Sequence, residues 1–164
     1  MITLGIDPGT AATGWAVVEE KKGKLSPLAY GCIVTLKNKS TSNRLRETAD
    51  DLEKIIKKYR PDEAAVEDIF FFKNLKTAVK VSQSRGAILL TLERLKVKIF
   101  EYAPLEIKQA VTGYGRAEKI QIQLMVKNIL GLKSIPKPDD AADAIAVSLC
   151  HINSRKIKNL TRNN

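Results

Sequence analysis

The sequence predicts an α/β fold in which helices flank a mixed five-stranded sheet. Three features support this class. The first part of the chain has three short apolar stretches separated by turn residues, as in an antiparallel meander. The remainder alternates between strand and helix patterns, which adds further strands and covers the sheet with helices. Apolar residues make up 44% of the 164 residues, enough for a sizeable core.

The predicted meander occupies the start of the chain. Apolar residues alternate over 2–7, which is typical of a strand entering a core, and a Pro-Gly-Thr sequence then ends the strand. A second strand is predicted at 14–18 and a third at 30–36. A lysine-rich turn at 21–24 joins them as a hairpin.

The helices and the remaining strands follow from spacing and from helix end signals. Polar residues at 38–43 offer caps for a helix with apolar residues at helical spacing, and Pro61 stops that helix. A long helix is predicted at 74–95, and its block at 87–90 is apolar on more than one face. Such a helix is either deeply buried or partly in a subunit interface, and we expect the part near 88–92 to form an interface. The other predicted elements are strands at 64–67 and 97–100 and helices at 105–111, 120–130 and 139–152.

No linker or internal repeat divides the chain. We therefore expect one domain over residues 1–153. The segment 154–164 contains four cations, no acidic residue and no apolar pattern. We expect it to be a basic, disordered tail.

Charge favours a polyanionic partner. The net charge is +10, and residues 73–133 carry 12 basic and 4 acidic side chains. A solvated, lysine-rich surface is the alternative. No membrane span or signal peptide is expected, because no apolar run reaches the required length. Two cysteines, Cys32 and Cys150, lie among apolar residues, and we expect both in the core of a cytoplasmic protein.

Four carboxylates stand where the core should continue. Asp7 and Glu67 each end an apolar strand, and Asp140 and Asp143 share one face near the start of the last helix. Neighbouring unpaired carboxylates repel each other, and a hard divalent cation neutralises them. Acids from separate elements that meet at strand ends would suit a two-metal site for phosphoryl chemistry.

Each acid also has a purely structural interpretation. Asp7 can shape a turn, Asp140 can cap a helix, and Glu67 can pair with a cation. Two neighbours compete for the site as well. Asp68 follows Glu67 on a strand, so it should point to the opposite face. Asp139 can replace Asp140, since it lies one helical turn before Asp143, and spacing alone leaves that choice open.

These residues lie within motifs that resemble the RuvC family of Holliday junction resolvases. The resemblance begins with Gly5-Ile6-Asp7-Pro8-Gly9-Thr10 and Gly14-Trp15-Ala16. It continues in order through Val66-Glu67, Phe70, Lys73-Asn74, Gln83-Ser84-Arg85-Gly86-Ala87, residues 102–111, Ala117-Glu118-Lys119, Asp140-Ala141-Ala142-Asp143-Ala144 and His151. Ser84 replaces the family's usual alanine. The match spans nearly the whole chain.

The resemblance implies a single RNase H-like nuclease domain over residues 1–153. It implies a homodimer that nicks two opposed strands of four-way junction DNA, in recombination and repair, leaving 5′-phosphate and 3′-hydroxyl ends. Two Mg²⁺ ions per site are implied, with Mn²⁺ as a substitute, and so is a partnership with the RuvA–RuvB branch-migration complex. The implied catalytic and metal-binding acids are Asp7, Glu67, Asp140 and Asp143, which favours Asp140 over Asp139.

The resemblance also implies five DNA-binding residues, Phe70, Lys73, Arg85, Lys108 and Lys119. Lysines beside phosphates would give salt-dependent binding, and an exposed Phe70 could stack on an unpaired base. Solvated helix surface is the alternative for the lysines, and a core position is the alternative for the phenylalanine. His151 is expected to be structural, because it lies three helical turns from the acids.

Two other functions match part of the pattern. Asp7, Gly9, Thr10 and Gly14 also resemble the first phosphate loop of actin-like ATPases, which need a second lobe that 164 residues cannot supply. A non-catalytic nucleic-acid-binding module on the same fold is the second alternative. That module would be expected to lack one or more of the acids, and this chain keeps all four.

Overall fold

A computed structural model of the chain describes residues 1–69 and 75–162. The strands are β1 Ile2–Asp7, β2 Ala12–Lys21, β3 Lys24–Val34, β4 Glu63–Glu67 and β5 Lys98–Tyr102. The helices are α1 Thr41–Tyr59, α2 Leu75–Arg94, α3 Pro104–Thr112, α4 Lys119–Ile129 and α5 Asp139–Arg162. These are the elements that the sequence predicts, in the predicted order.

The five strands form one sheet in the order β3-β2-β1-β4-β5. β1 pairs antiparallel with β2 and parallel with β4, and β4 pairs parallel with β5. The sheet is therefore mixed, as predicted. Both parallel strands β1 and β4 end at the same edge, so their last residues, Asp7 and Glu67, lie side by side.

Helices cover both faces of the sheet. One core layer contains Leu4 and Ile6 of β1 with Leu52 of α1 and Ile88 of α2. The second layer places α3, α4 and α5 against the other face, where Ala65 of β4 belongs to the core. Because side chains alternate along a strand, Asp7 and Glu67 share the face that α5 covers.

The first hairpin turns at the predicted position, 21–24, but its strands are longer than predicted. Lys22 and Gly23 have positive φ angles of 51° and 78°, the conformation of a two-residue turn that matches strand twist. β3 therefore pairs with β2 from Lys24 onward and ends at Val34, whereas the sequence pattern predicts a strand at 30–36.

The last helix is longer than predicted. α5 ends at Arg162 rather than at 152, and it includes most of the segment expected to be a disordered tail. Residues 153–162 contain no proline or glycine, so the helix has no local reason to stop at Ile152. The division into a domain at 1–153 and a tail at 154–164 stays a prediction.

Candidate active site

The first two acids are brought together by strand pairing. Ile6 of β1 is in register with Val66 of β4, and Asp7 and Glu67 follow them at the sheet edge. A side-chain hydrogen bond joins the two carboxyl groups. The predicted neighbourhood of these two acids is therefore present in the fold.

The other two acids enter from the start of α5. A close approach of backbones holds this helix on the sheet. A Cβ atom at Gly5 would lie 2.2 Å from the carbonyl oxygen of Ala144, and one at Gly14 would lie 2.0 Å from that of Asp140. Glycine is therefore required at both positions for α5 to pack this closely against β1 and β2. This close packing places Asp140 and Asp143 at the edge of the sheet where Asp7 lies.

Three carboxylates form a cluster that fits a cation. Ligand oxygens of Asp7, Asp140 and Asp143 all lie within 4.8 Å of one another, and each residue is partly buried. Glu67 adjoins the cluster through its hydrogen bond to Asp7. Such an all-oxygen, partly desolvated donor set is what hard divalent cations prefer.

Burial and crowding raise the proton affinity of the cluster. Desolvation, followed by repulsion from Glu67, raises the pKa of Asp7 to about 9. Desolvation also raises the pKa of Glu67 and of Asp143. The cluster therefore holds more protons than isolated carboxylates would, and a cation that binds there must displace them.

The neighbouring acids point elsewhere. Asp139 is half-exposed and bonds to Lys137 at 2.7 Å. Asp68 pairs with Arg85 at 3.0 Å. The geometry thus places Asp140 rather than Asp139 in the cluster, which the spacing alone left open.

Two lysines lie beside the acids. Lys119 Nζ is 2.9 Å from Asp143 Oδ2, and this contact raises the pKa of the lysine. Lys108 and Lys119 line a cleft of about 230 Å³ together with Glu67 and Asp143. The structure thus places both predicted DNA-binding lysines at the acid cluster.

Arg85 is engaged by the protein itself. Its guanidinium group binds the carboxylates of Asp68 and Glu101 and donates to the backbone oxygen of Glu67 at 3.4 Å. These contacts tie the end of β4 to α2 and β5. Contact of Arg85 with DNA stays a prediction. The predicted sites Phe70 and Lys73 lie outside the described residues.

Sequence reasoning missed Cys32. It was expected in the core, but it is only partly buried, and its Sγ lies 3.8 Å from Asp140 Oδ2. Desolvation raises the pKa of its thiol to about 11. Cys32 lies within the predicted third strand and pairs with Gly14 across β2 and β3, a register between strands that a local sequence pattern does not record. Cys150 is buried, as expected.

His151 has the predicted structural role. It is buried, with Nδ1 2.8 Å from the Tyr102 hydroxyl and Nε2 2.7 Å from Glu63 Oε2. These bonds link α5 to β4 and β5, away from the acid cluster.

Among the described residues, no helix combines the length and apolar character needed to cross a membrane.

Comparisons with known proteins find a matching family. A sequence model of the family described as crossover junction endodeoxyribonuclease RuvC matches residues 3–151. The protein of that name from Ruminiclostridium cellulolyticum is 50% identical over 163 residues, which is 99% of this chain and 98% of the relative. Its counterpart from Halothermothrix orenii is 50% identical over 157 residues, covering 96% and 95% of the two chains.

A solved structure has the same fold. It is described as Thermus thermophilus RuvC in complex with Holliday junction substrate. It superposes with a TM-score of 0.91 at 33% identity and covers 96% of each chain. With the family match over nearly its whole length and an RNase H-like fold, this chain belongs to the RuvC family of crossover junction endodeoxyribonucleases.

Proposed function

We propose that this chain is a structure-selective endonuclease that resolves four-way DNA junctions by paired, symmetric nicks. The reaction is metal-dependent hydrolysis of phosphodiester bonds, in DNA recombination and repair. The observation that carries the proposal is the cluster of Asp7, Asp140 and Asp143 within 4.8 Å, joined by Glu67. The junction-bound T. thermophilus relative supports the substrate.

The proposed ligands of the cation are the four acids, and the proposed cation is Mg²⁺, with two ions per site and Mn²⁺ as a substitute. All-oxygen donors favour these hard cations over zinc. When bound, the cations supply Lewis-acid polarisation of the phosphodiester and lower the pKa of a bound water. Asp7, Glu67 and Asp143 give up their extra protons on binding, because their raised pKa values reflect burial and mutual repulsion.

The two lysines have complementary roles in this proposal. Lys119 neutralises Asp143 while the cluster lacks a cation, and it is then released to face a DNA phosphate. Lys108 faces Glu67 across the same cleft and lowers the repulsion between the acids and the phosphate backbone. Phe70 and Lys73 remain proposed DNA contacts. For Arg85, the contacts with the end of β4 also support a role in positioning Glu67.

The proposed assembly is a homodimer that acts on both strands at once. α2 supports it, since Val79 and Leu90 are 57% and 60% exposed and Gly86 lies between them on the same stripe with open space above it.

The family resemblance supports a partnership with the RuvA–RuvB complex. The free cysteines Cys32 and Cys150 support a reducing cytoplasm. A non-catalytic DNA-binding module is not favoured, because the acid cluster is complete.

The test is cleavage of a synthetic mobile four-way junction, with linear duplexes of the same arms beside it. Asp7→Asn, Glu67→Gln, Asp140→Asn and Asp143→Asn should each lower metal-dependent cleavage by at least about 100-fold, because each removes a ligand charge. Junction binding should survive, since phosphate contacts come from other residues.

The matched control is Asp139→Asn, which changes an exposed carboxylate outside the cluster. It should cleave nearly normally. Loss of cleavage in Asp139→Asn with normal cleavage in Asp140→Asn would move the site by one residue. Equal cleavage of junction and linear duplex by the unaltered chain would contradict the proposed substrate.

A further inference from the structure

A second polar pocket lies at the same end of the sheet as the acids, but on the face covered by α1 and α2. Its lining includes Thr10, three residues after Asp7, together with Arg44 and Thr41 of α1 and Lys80 and Ser84 of α2. The cavity is about 20 Å³, room for one water-sized group, and it opens to solvent. No acidic side chain lines it.

Its two cations are not neutralised. In the described part of the chain, neither Arg44 nor Lys80 forms a salt bridge, whereas Arg85 on the same helix has two carboxylate partners. Arg44 uses two of its five N–H donors, one for the Thr35 hydroxyl at 3.0 Å and one for the Thr10 carbonyl oxygen. Three donors remain for a ligand. α1 adds an uncompensated helix amino-terminus, since its first turn has no acidic residue.

Ser84 adds a hydrogen-bond donor to the cavity. It is only 4% exposed, and its hydroxyl has no hydrogen-bond partner among residues 1–69 and 75–162. Other helical hydroxyls behave differently: Thr48, Ser82 and Thr91 each donate to the carbonyl four residues earlier. The Ser84 hydroxyl lines the open cavity, so an anionic oxygen bound there would accept its hydrogen bond.

We propose that this pocket binds a non-bridging phosphate oxygen of the DNA backbone, on a nucleotide that flanks the one at the acid cluster. Arg44 and Lys80 supply the charge, and the Ser84 hydroxyl donates the hydrogen bond that places the phosphate. Since Thr10 belongs to the loop that follows Asp7, one bound strand reaches both sites. The inference rests on the proposed function, because it takes DNA as the ligand.

The test measures binding to four-way junction and to linear duplex in a chelator, across a range of salt concentrations. Ser84→Ala should bind both DNAs about 3- to 10-fold more weakly at one salt concentration, with an unchanged salt slope, because a neutral donor is lost. Lys80→Gln should lower the slope of log K against log salt by about 0.9, the value for one phosphate contact. Lys24→Gln, an equal charge change at the opposite end of the sheet, should leave the slope unchanged.

Melting separates this role from a structural one. Ser84→Ala should melt at the same temperature or higher, because the lost hydroxyl has no partner and alanine favours helix. A lower melting temperature with unchanged DNA affinity would overturn the proposal. So would unchanged affinity in Ser84→Ala together with an unchanged slope in Lys80→Gln.

Inorganic phosphate at constant ionic strength is the second probe, followed by the amide resonances of Thr10 and Ser84. If phosphate shifts these resonances but Ser84→Ala leaves DNA affinity unaltered, the pocket binds free phosphate and the DNA contact is wrong. Failure of the unaltered chain to prefer the junction over duplex would overturn the proposed substrate alone. The pocket would still be tested, because backbone contacts weaken binding to either DNA.

Discussion

Asp7 and Glu67 hold a proton that an exposed pair of carboxylates would release. Desolvation is the first cause, and the negative charges of Glu67, Asp143 and Asp140 add to it. Between the unfolded pKa near 3.8 and the folded value of about 9, the native chain binds more protons at Asp7 than the unfolded chain does. The metal-free protein must therefore lose stability at this residue as pH rises through that window.

This linkage predicts that Asp7→Asn makes the metal-free protein more stable to unfolding, by an amount that depends on pH. In a chelator, the variant should be more stable than the unaltered chain by about 1–3 kcal/mol at alkaline pH, because it removes a buried carboxyl that is forced to ionise. The difference should shrink as pH falls toward 4. Urea unfolding at several pH values measures it.

Asp139→Asn is the matched control, since that carboxylate is exposed and its pKa is lowered by Lys137. Its effect should not grow with pH. Added Mg²⁺ should stabilise the unaltered chain and narrow its gap to Asp7→Asn. A gap that stays constant from pH 4 to 9 would show that Asp7 is not the group that titrates.

At the scale of elements, the position of α5 on the sheet determines the geometry of the site. Gly5 and Gly14 let the helix backbone contact β1 and β2, and both place Asp140 and Asp143 through that contact. Ser148 strengthens it, with its hydroxyl 3.4 Å from the Ala16 carbonyl oxygen. The positions of the proposed metal ligands thus depend on Gly5 and Gly14, which have no side-chain functional group.

Gly14→Ala should therefore damage catalysis without altering any ligand. The new Cβ would lie 2.0 Å from the Asp140 carbonyl oxygen, so the first turn of α5 must move. We expect a loss of about 1–3 kcal/mol of stability and a fall in cleavage of about 100-fold, since small misplacements of reacting groups are costly. Chemical denaturation and junction cleavage measure the two effects.

Gly31→Ala on β3 is the matched control, because its Cβ would make only ordinary contacts, at 3.4 Å, with Trp15. It should cleave normally and lose little stability. Normal cleavage by Gly14→Ala would show that α5 can shift without moving its acids.

At the scale of the whole molecule, the described surface of α2 still exposes large apolar side chains. Ile88 and Leu92 are fully buried. These two residues of the segment at 88–92, which the sequence pattern assigns to an interface, therefore belong to the core. Val79 and Leu90 remain exposed on the opposite side of the helix. They form the surface on which a two-fold dimer would close.

Leu90→Glu should accordingly convert the proposed dimer to a monomer at micromolar concentration, because it would place a charge in an apolar interface. Sedimentation velocity measures the oligomeric state. Leu124→Glu, at an exposed position on α4, should remain dimeric. An unaltered chain that sediments as a monomer while it still cleaves junctions would contradict the dimer.

Local patterns in the sequence determined the element order, the mixed sheet and three of the four acids. They succeeded because alternation, helical spacing and breakers such as Pro61 act within a few residues. They failed at the start of β3, which depends on pairing with β2, and at the end of α5, where no breaker occurs.

Tertiary structure alone decided what depends on distances between elements. It placed Asp140 in the cluster, a choice that spacing left open and that the family resemblance favoured. It also moved Cys32 from the core to the site and paired Lys119 with Asp143. It also left the Ser84 hydroxyl without a partner in the described structure. Each outcome depends on how closely α5 and α2 pack on the sheet. Glycines and core side chains far apart in the chain set that packing, and no local pattern records it.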